Sequence, residues 1–189
     1  MTDLAPVIVI VPGLRRPAED HWQTRLAARL TRVRSVAPLG RDNPSLADRV
    51  AALHDAVERA DGPVILVAHD AGVLVTARWA GTHGGTVIGA LLATPPDLAE
   101  ELPPEYPPLT ILEEHGWLPI PRQRLSFPSI VAASSNDPLG DPVRVRAMAD
   151  AWGSRWRDLG PVGHLDPASG YGRWPEAERL IRELAEAAW

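Results

Sequence analysis

The stretch Pro63 to Ala80, PVILVAHDAGVLVTARWA, constrains the fold of this chain more than any other. The apolar run from Pro63 to Ala68 reads as a buried strand, and Val73, Ala77 and Ala80 recur at helical spacing directly after it. Between them Ala68-His69-Asp70-Ala71-Gly72 must turn strand into helix within a few residues. Small residues at 68 and 72 flank the apex, where backbones crowd and the side chain of Asp70 is thrust outward. Taken alone, the pattern also fits an ordinary strand–helix turn in which Asp70 caps the following helix.

The flanking sequence repeats the alternation. Val7 to Val11 is a β-branched run ending in Pro12-Gly13, the pattern of a strand covered on both faces. Asp20 to Leu30 predicts a helix with His21 and Trp22 in its first turn, and Arg34 to Ala37 a short strand. Ser45 precedes Leu46, Val50, Leu53 and Val57, a capped helix that Asp61-Gly62 ends. Thr86 to Ala93, Pro128 to Ala133 and Arg155 to Leu159 complete six strands, each read as apolar on both faces. Helices from Asp141-Pro142 to Trp152 and from Pro175 to Ala187 follow the last two. Strands alternating with helices imply a doubly wound parallel sheet, order 2-1-3-4-5-6.

Residues 94–127 break the rhythm. Prolines at 95, 96, 103, 104, 107, 108, 119 and 121 forbid long regular elements there. A connection of that length is either a covering lid or a disordered insert. It is too proline-rich to hold a core of its own, so residues 1–189 are expected to form one domain, large enough to bury about 70% of its unfolded surface.

Composition narrows the chemistry. The chain has no cysteine, which excludes disulfides, zinc–thiolate sites and a thiol nucleophile, and its 19 basic residues are all arginine, which excludes a Schiff-base lysine. A net charge of -5 without a basic run gives no footprint for nucleic acid. No apolar run approaches the roughly 18 residues of a membrane span, and Met1 to Ala5 lacks the pattern of a signal peptide. The expectation is a cytoplasmic protein acting on a small molecule, with no metal or cofactor and no membrane or nucleic-acid partner; the oligomeric state is left open.

In doubly wound sheets ligands bind beyond the carboxyl ends of the strands. Three such positions carry titratable residues: Asp70 after the third strand, Asp137 in Ser134-Ser-Asn-Asp-Pro138 after the fifth, and His164 in Gly163-His-Leu-Asp166 after the sixth. Nucleophile, acid and base in that order match the triads of α/β-hydrolases, and the turn at Asp70 matches their G-x-S-x-G elbow, with Ala68 for the first glycine and Asp70 for the serine. Asp137 would orient His164 as base. Asp166 lies too near His164 in sequence to orient its ring, and Asp141 is better read as a helix cap. The backbone N–H groups of Leu14 and Ala71 are the expected oxyanion hole.

The chain resembles the family of retinoblastoma-binding protein 9 and its bacterial YdeN-like relatives, small α/β-hydrolases with little or no cap. The resemblance rests on Val11-Pro-Gly13, His21-Trp22, Asp61-Gly-Pro-Val64, the elbow with Arg78-Trp79-Ala80, and Pro95-Pro-Asp97. It continues through Ser126-Phe-Pro128, Ala133-Ser-Ser-Asn-Asp-Pro138, Ala151-Trp-Gly153 and Gly163-His164 with Ser169-Gly-Tyr-Gly-Arg-Trp-Pro-Glu176. It implies a serine-esterase-like triad whose acid and base fall on Asp137 and His164. The serine does not carry over, because the position holds Asp70. Asp166-Pro167 also stands where the family has Asn-Ala.

An aspartate attacking an ester would form an anhydride, with no gain over direct hydrolysis. Attack on a saturated carbon forms an alkyl ester that water, activated by His164, can open. His-Asp-x-Gly resembles the elbow of epoxide hydrolases and haloalkane dehalogenases, which usually carry Trp where this chain has Ala71. The absence of that Trp favours strained rings, epoxide or aziridine, over halides. Ring opening asks for a donor to the leaving heteroatom, for which Tyr106 and Tyr171 are candidates. Halide release asks for N–H donors, for which Trp22 and Trp117 are candidates, with His21 beside them. The alternatives are a serine-esterase-like enzyme whose nucleophile has been replaced, and a non-catalytic descendant that binds a ligand or partner.

Overall fold

The computed structural model describes residues 5–15, 18–40 and 42–187; Arg16 and Pro17 of the loop after the first strand, and Met1 to Leu4, lie outside it. The strands are β1 (Val7–Val11), β2 (Val33–Ser35), β3 (Val64–His69), β4 (Val87–Ala93), β5 (Ser129–Ala133) and β6 (Arg155–Asp158). The helices are α1 (Trp22–Ala27), α2 (Leu46–Glu58), α3 (Ala71–Ala80), α4 (Leu109–Glu114), α5 (Pro142–Trp152) and α6 (Glu176–Ala187). All strand pairs are parallel, in the order β2-β1-β3-β4-β5-β6. This is the doubly wound sheet expected from the sequence.

Alternation along the strands builds the two layers. Val7, Val9 and Val11 of β1 and Val64, Leu66 and Ala68 of β3 face a core formed with α2, α3 and α5. Ile8, Ile10, Ile65 and Val67 face the other way, onto Trp22 of α1 and Leu180, Ile181 and Leu184 of α6. Trp22, Trp79, Trp117 and Trp152 are each almost wholly buried, and burying a side chain of that size stabilises by roughly 3 kcal/mol.

Three expectations need correction. The edge strands β2 and β6 are largely exposed rather than apolar on both faces, because each has a neighbour on one side only. β2 starts and ends earlier than read, its register fixed by pairing of Ile8 with Val33. α1 is shorter, since Arg29 N–H and Leu30 N–H bond three residues back and tighten its end into a turn. Ser45 and Asp141 cap α2 and α5 as read, accepting the N–H groups of Asp48 and of Val143 and Arg144.

Residues 94–127 pack against the helical layer of the sheet. They contain the short α4 and send Leu98, Tyr106, Leu112, Trp117, Ile120, Leu125 and Phe127 into the layer beside α3 and α5. Trp117 Nε1 donates to Pro44 O at 2.7 Å, tying the segment to the start of α2.

Candidate active site

The sheet order reverses between β1 and β3, and the loops leaving their carboxyl ends open a crevice there. Asp70 stands at the end of β3 with φ 55° and ψ -134°, a conformation that costs a side-chain-bearing residue about 1–3 kcal/mol. Backbone bonds offset the strain: Asp70 N–H donates to Ala93 O at 3.1 Å, and Asp70 O accepts from Val73 N–H at 3.0 Å. A Cβ at Gly72 would sit 2.4 Å from Val11 O, and one at Gly13 would sit 2.2 Å from Asp70 Oδ2, so both positions require glycine for close approach. Buried Gln23 staples the two strand ends, donating to Val11 O at 3.2 Å and Val67 O at 3.0 Å.

Asp70, Asp137 and His164 converge at this crevice. His164 Nδ1 lies 3.0 and 3.1 Å from the two oxygens of Asp137, and Nε2 lies 3.5 Å from Asp70 Oδ1. Asp70 Oδ2 accepts from Leu14 N–H at 3.3 Å. No bond joins Ala71 N–H to the carboxylate; as the first amide of α3, it has no acceptor within the helix. The loops are laced together. Asn136 Oδ1 accepts from Gly163 N–H at 2.7 Å, Ser134 Oγ from Val162 N–H at 3.2 Å, and Ser169 Oγ from His164 N–H at 3.0 Å. Asp166 turns away from the imidazole and pairs with Arg15 at 2.6 Å and with Ser169.

The carboxylates set the proton balance. Burial opposes charge on His164, but the hydrogen bonds and charges of Asp137 and Asp70 outweigh it and lift its pKa to about 10. Burial alone would also raise the pKa of Asp70. The bond and charge of His164, aided by Leu14 N–H, prevail and hold it below the ordinary carboxylate value. Both directions favour a proton on His164 and a charge on Asp70. Two further histidines stay neutral: burial lowers His21 to about 4 and His69 to about 3, and the charge of His164 pushes the same way in both. Burial would raise the pKa of Asp166, but the bonds from Ser169 and Arg15 outweigh it and leave it at about 2.

A cavity of about 200 Å³ opens on Asp70 and His164, lined also by Gly13, Arg15, His21, His69 and Asp166. Of the predicted substrate-binding residues only His21 lines it. Trp22 packs edge-on against His69 and Trp174 and is 1% exposed, and Trp117 is spent on Pro44, so neither indole reaches the cavity. Tyr171 packs with the α1–α6 layer. Tyr106 sits beside Leu14 with Arg15 over its ring at 5.2 Å. Its hydroxyl is buried without a hydrogen-bond partner among the described residues, and burial first, then the charge of Asp70, keep it protonated. Sequence reasoning missed His69, Gln23 and Arg15. A polar residue ending a wholly apolar strand was the available signal for His69; Gln23 and Arg15 gave none.

A family model described as serine hydrolase matches residues 8–183. A YdeN-like hydrolase from Pectobacterium atrosepticum superposes with a TM-score of 0.82 at 26% identity, covering 96% of this chain and 91% of that one. The ydeN product of B. subtilis gives 0.75 at 19% identity over 96% and 100% of the two chains. Est1E from Butyrivibrio proteoclasticus, bound to ferulic acid, gives 0.68 at 12% identity over 96% and 87%. No curated protein sequence matches.

Proposed function

This chain belongs to the serine hydrolase family, and we propose that it is a member in which Asp70 has taken the nucleophile's place and opens a small strained ring, an epoxide or aziridine, through an alkyl-enzyme ester. We place it on the branch of retinoblastoma-binding protein 9 and the YdeN-like proteins, as a cytoplasmic enzyme with residues 94–127 roofing the Leu14 side of the site. The observation that carries the reading is the division of labour within one carboxylate. Oδ2 rests on Leu14 N–H, while Oδ1 is buried and faces His164 Nε2 at 3.5 Å, and both residues line the cavity.

In the first step Oδ1 attacks a ring carbon, the carbon–heteroatom bond breaks, and its electron pair stays on the heteroatom. That atom needs a proton, and His164 already holds one. Esterification removes the charge of Asp70, one of the two carboxylates that kept the proton on the imidazole, so its release to the product becomes favourable. Neutral His164, still anchored to Asp137, is then the base that activates water against the Asp70 carbonyl carbon. Leu14 N–H holds the oxyanion on Oδ2. Breakage of the bond to Oδ1 releases the alcohol, which takes its proton from His164, and the new carboxylic acid returns one to the imidazole.

Halide displacement needs no such proton, and the two indoles expected to hold a halide lie outside the cavity lining. The lining charges, Asp70 and Asp166 against His164 and Arg15, cancel, which suits a neutral substrate. No helix among the described residues is long and apolar enough to cross a membrane.

The test is turnover of a panel of small neutral epoxides and aziridines, with the first step followed in single turnover against pH. The pKa of His164 is raised above its ordinary 6.5, so its proton is present throughout neutral pH and is lost as pH rises through about 10. Alkylation should be flat through neutrality and fall across that region. A chain inert toward every strained ring, but gaining short-ester hydrolysis in Asp70→Ser, would instead identify a serine esterase with its nucleophile replaced.

A further inference from the structure

We propose that His21 and His69 form a neutral donor–acceptor pair on the cavity wall that selects a strained ring bearing a hydroxyl group on the neighbouring carbon. The inference rests on the ring-opening reading above. Both rings line the same cavity as Asp70 and His164, and their centroids lie 4.8 Å apart, close to edge-on.

Each tautomer follows from a backbone bond. His69 Nε2 lies 2.9 Å from His164 O, and a carbonyl only accepts, so Nε2 carries the hydrogen. In a neutral ring Nδ1 is then a bare acceptor. His21 is the N-cap of α1, and its Nδ1 accepts from Gln23 N–H at 3.2 Å, so that nitrogen is bare and the hydrogen sits on Nε2. Both rings are kept neutral, chiefly by burial. Neither His69 Nδ1 nor His21 Nε2 forms a hydrogen bond among the described residues. His69 is only 4% exposed and, like His21, lines this cavity.

The cavity wall thus offers one N–H and one lone pair. The leaving heteroatom of an epoxide can only accept, which assigns it to His21 Nε2–H. The lone pair of His69 Nδ1 is left for a donor, and a hydroxyl on the carbon next to the ring supplies one. A cavity of about 200 Å³ fits a substrate of that small size. A substrate without the donor leaves a desolvated imidazole nitrogen unmatched, a defect that costs about 10–100-fold.

The experiment compares a short 2,3-epoxy alcohol, glycidol, with its methyl ether in the wild type and in His21→Asn. Asn caps helices as well as other residues do and keeps the bond to Gln23, but it is too short to donate into the cavity. The wild type should favour the alcohol by about 10–100-fold in kcat/KM. His21→Asn should slow alkylation of both substrates by a similar factor, with the preference for the alcohol retained because His69 is untouched. Equal rates for alcohol and ether, or turnover of other epoxides with neither of these accepted, overturns the pair while ring opening stands. Equal alkylation rates in His21→Asn and the wild type overturn the role given to His21. Failure of every epoxide to alkylate Asp70 overturns the ring-opening reading itself, and this inference with it.

Discussion

Asp70→Asn should lose roughly 10⁴-fold or more in kcat/KM toward a strained-ring substrate, the scale seen when the nucleophile of a covalent mechanism is removed. The substitution is nearly isosteric, so the amide oxygen can still rest on Leu14 N–H and the elbow keeps its shape. What disappears is the charged oxygen that faces His164 at 3.5 Å. The imidazole also loses one of the two carboxylates that raise its pKa, so the proton needed by the leaving heteroatom is held less firmly at neutral pH. Unfolding by urea beside the kinetics separates this loss from a folding defect. Activity within tenfold of wild type would make Asp70 a bystander.

His164→Gln should stop the cycle halfway. Attack by Asp70 can still occur, at a reduced rate because no imidazolium delivers the proton. Ester hydrolysis then has no base, since Asp137 reaches the nucleophile only through the imidazole it holds at 3.0 Å. Steady-state turnover should fall by about 10³-fold or more. Intact-protein mass spectrometry after exposure to substrate should show one added substrate mass, mapping to the peptide that carries Asp70. An inactive variant without adduct, on a substrate the wild type turns over, favours a chain that uses no covalent intermediate.

How much of this was legible in the sequence depended on whether a residue's role is set locally. β1 and β3 were readable because buried parallel strands are continuous apolar runs. The elbow was readable because Gly72 must let Val11 O pass, a steric demand that leaves its mark at one position. Asp137 and His164 were singled out through the ends of β5 and β6, since topology alone carries those ends to the crevice. His69 was missed because its partner, the carbonyl of His164, lies 95 residues away in the chain. Arg15 pairs with Asp166 across 151 residues, which no local pattern announces. Trp22 and Trp117 were read as candidate halide donors because an indole looks the same in sequence whether it fills a core or lines a cavity. Packing against Trp174 and the bond to Pro44 decide between the two here.

The covalent role of Asp70 is tested most directly by following oxygen through one turnover in ¹⁸O-labelled water, with enzyme in excess over substrate. If Asp70 attacks, the oxygen transferred to product is its own Oδ1, and water replaces it in the carboxylate. The first product should be largely unlabelled and the Asp70 peptide should gain one label, while many turnovers should give labelled product. Labelled product from the first turnover, with Asp70 unlabelled, would contradict the account and assign the attack to water.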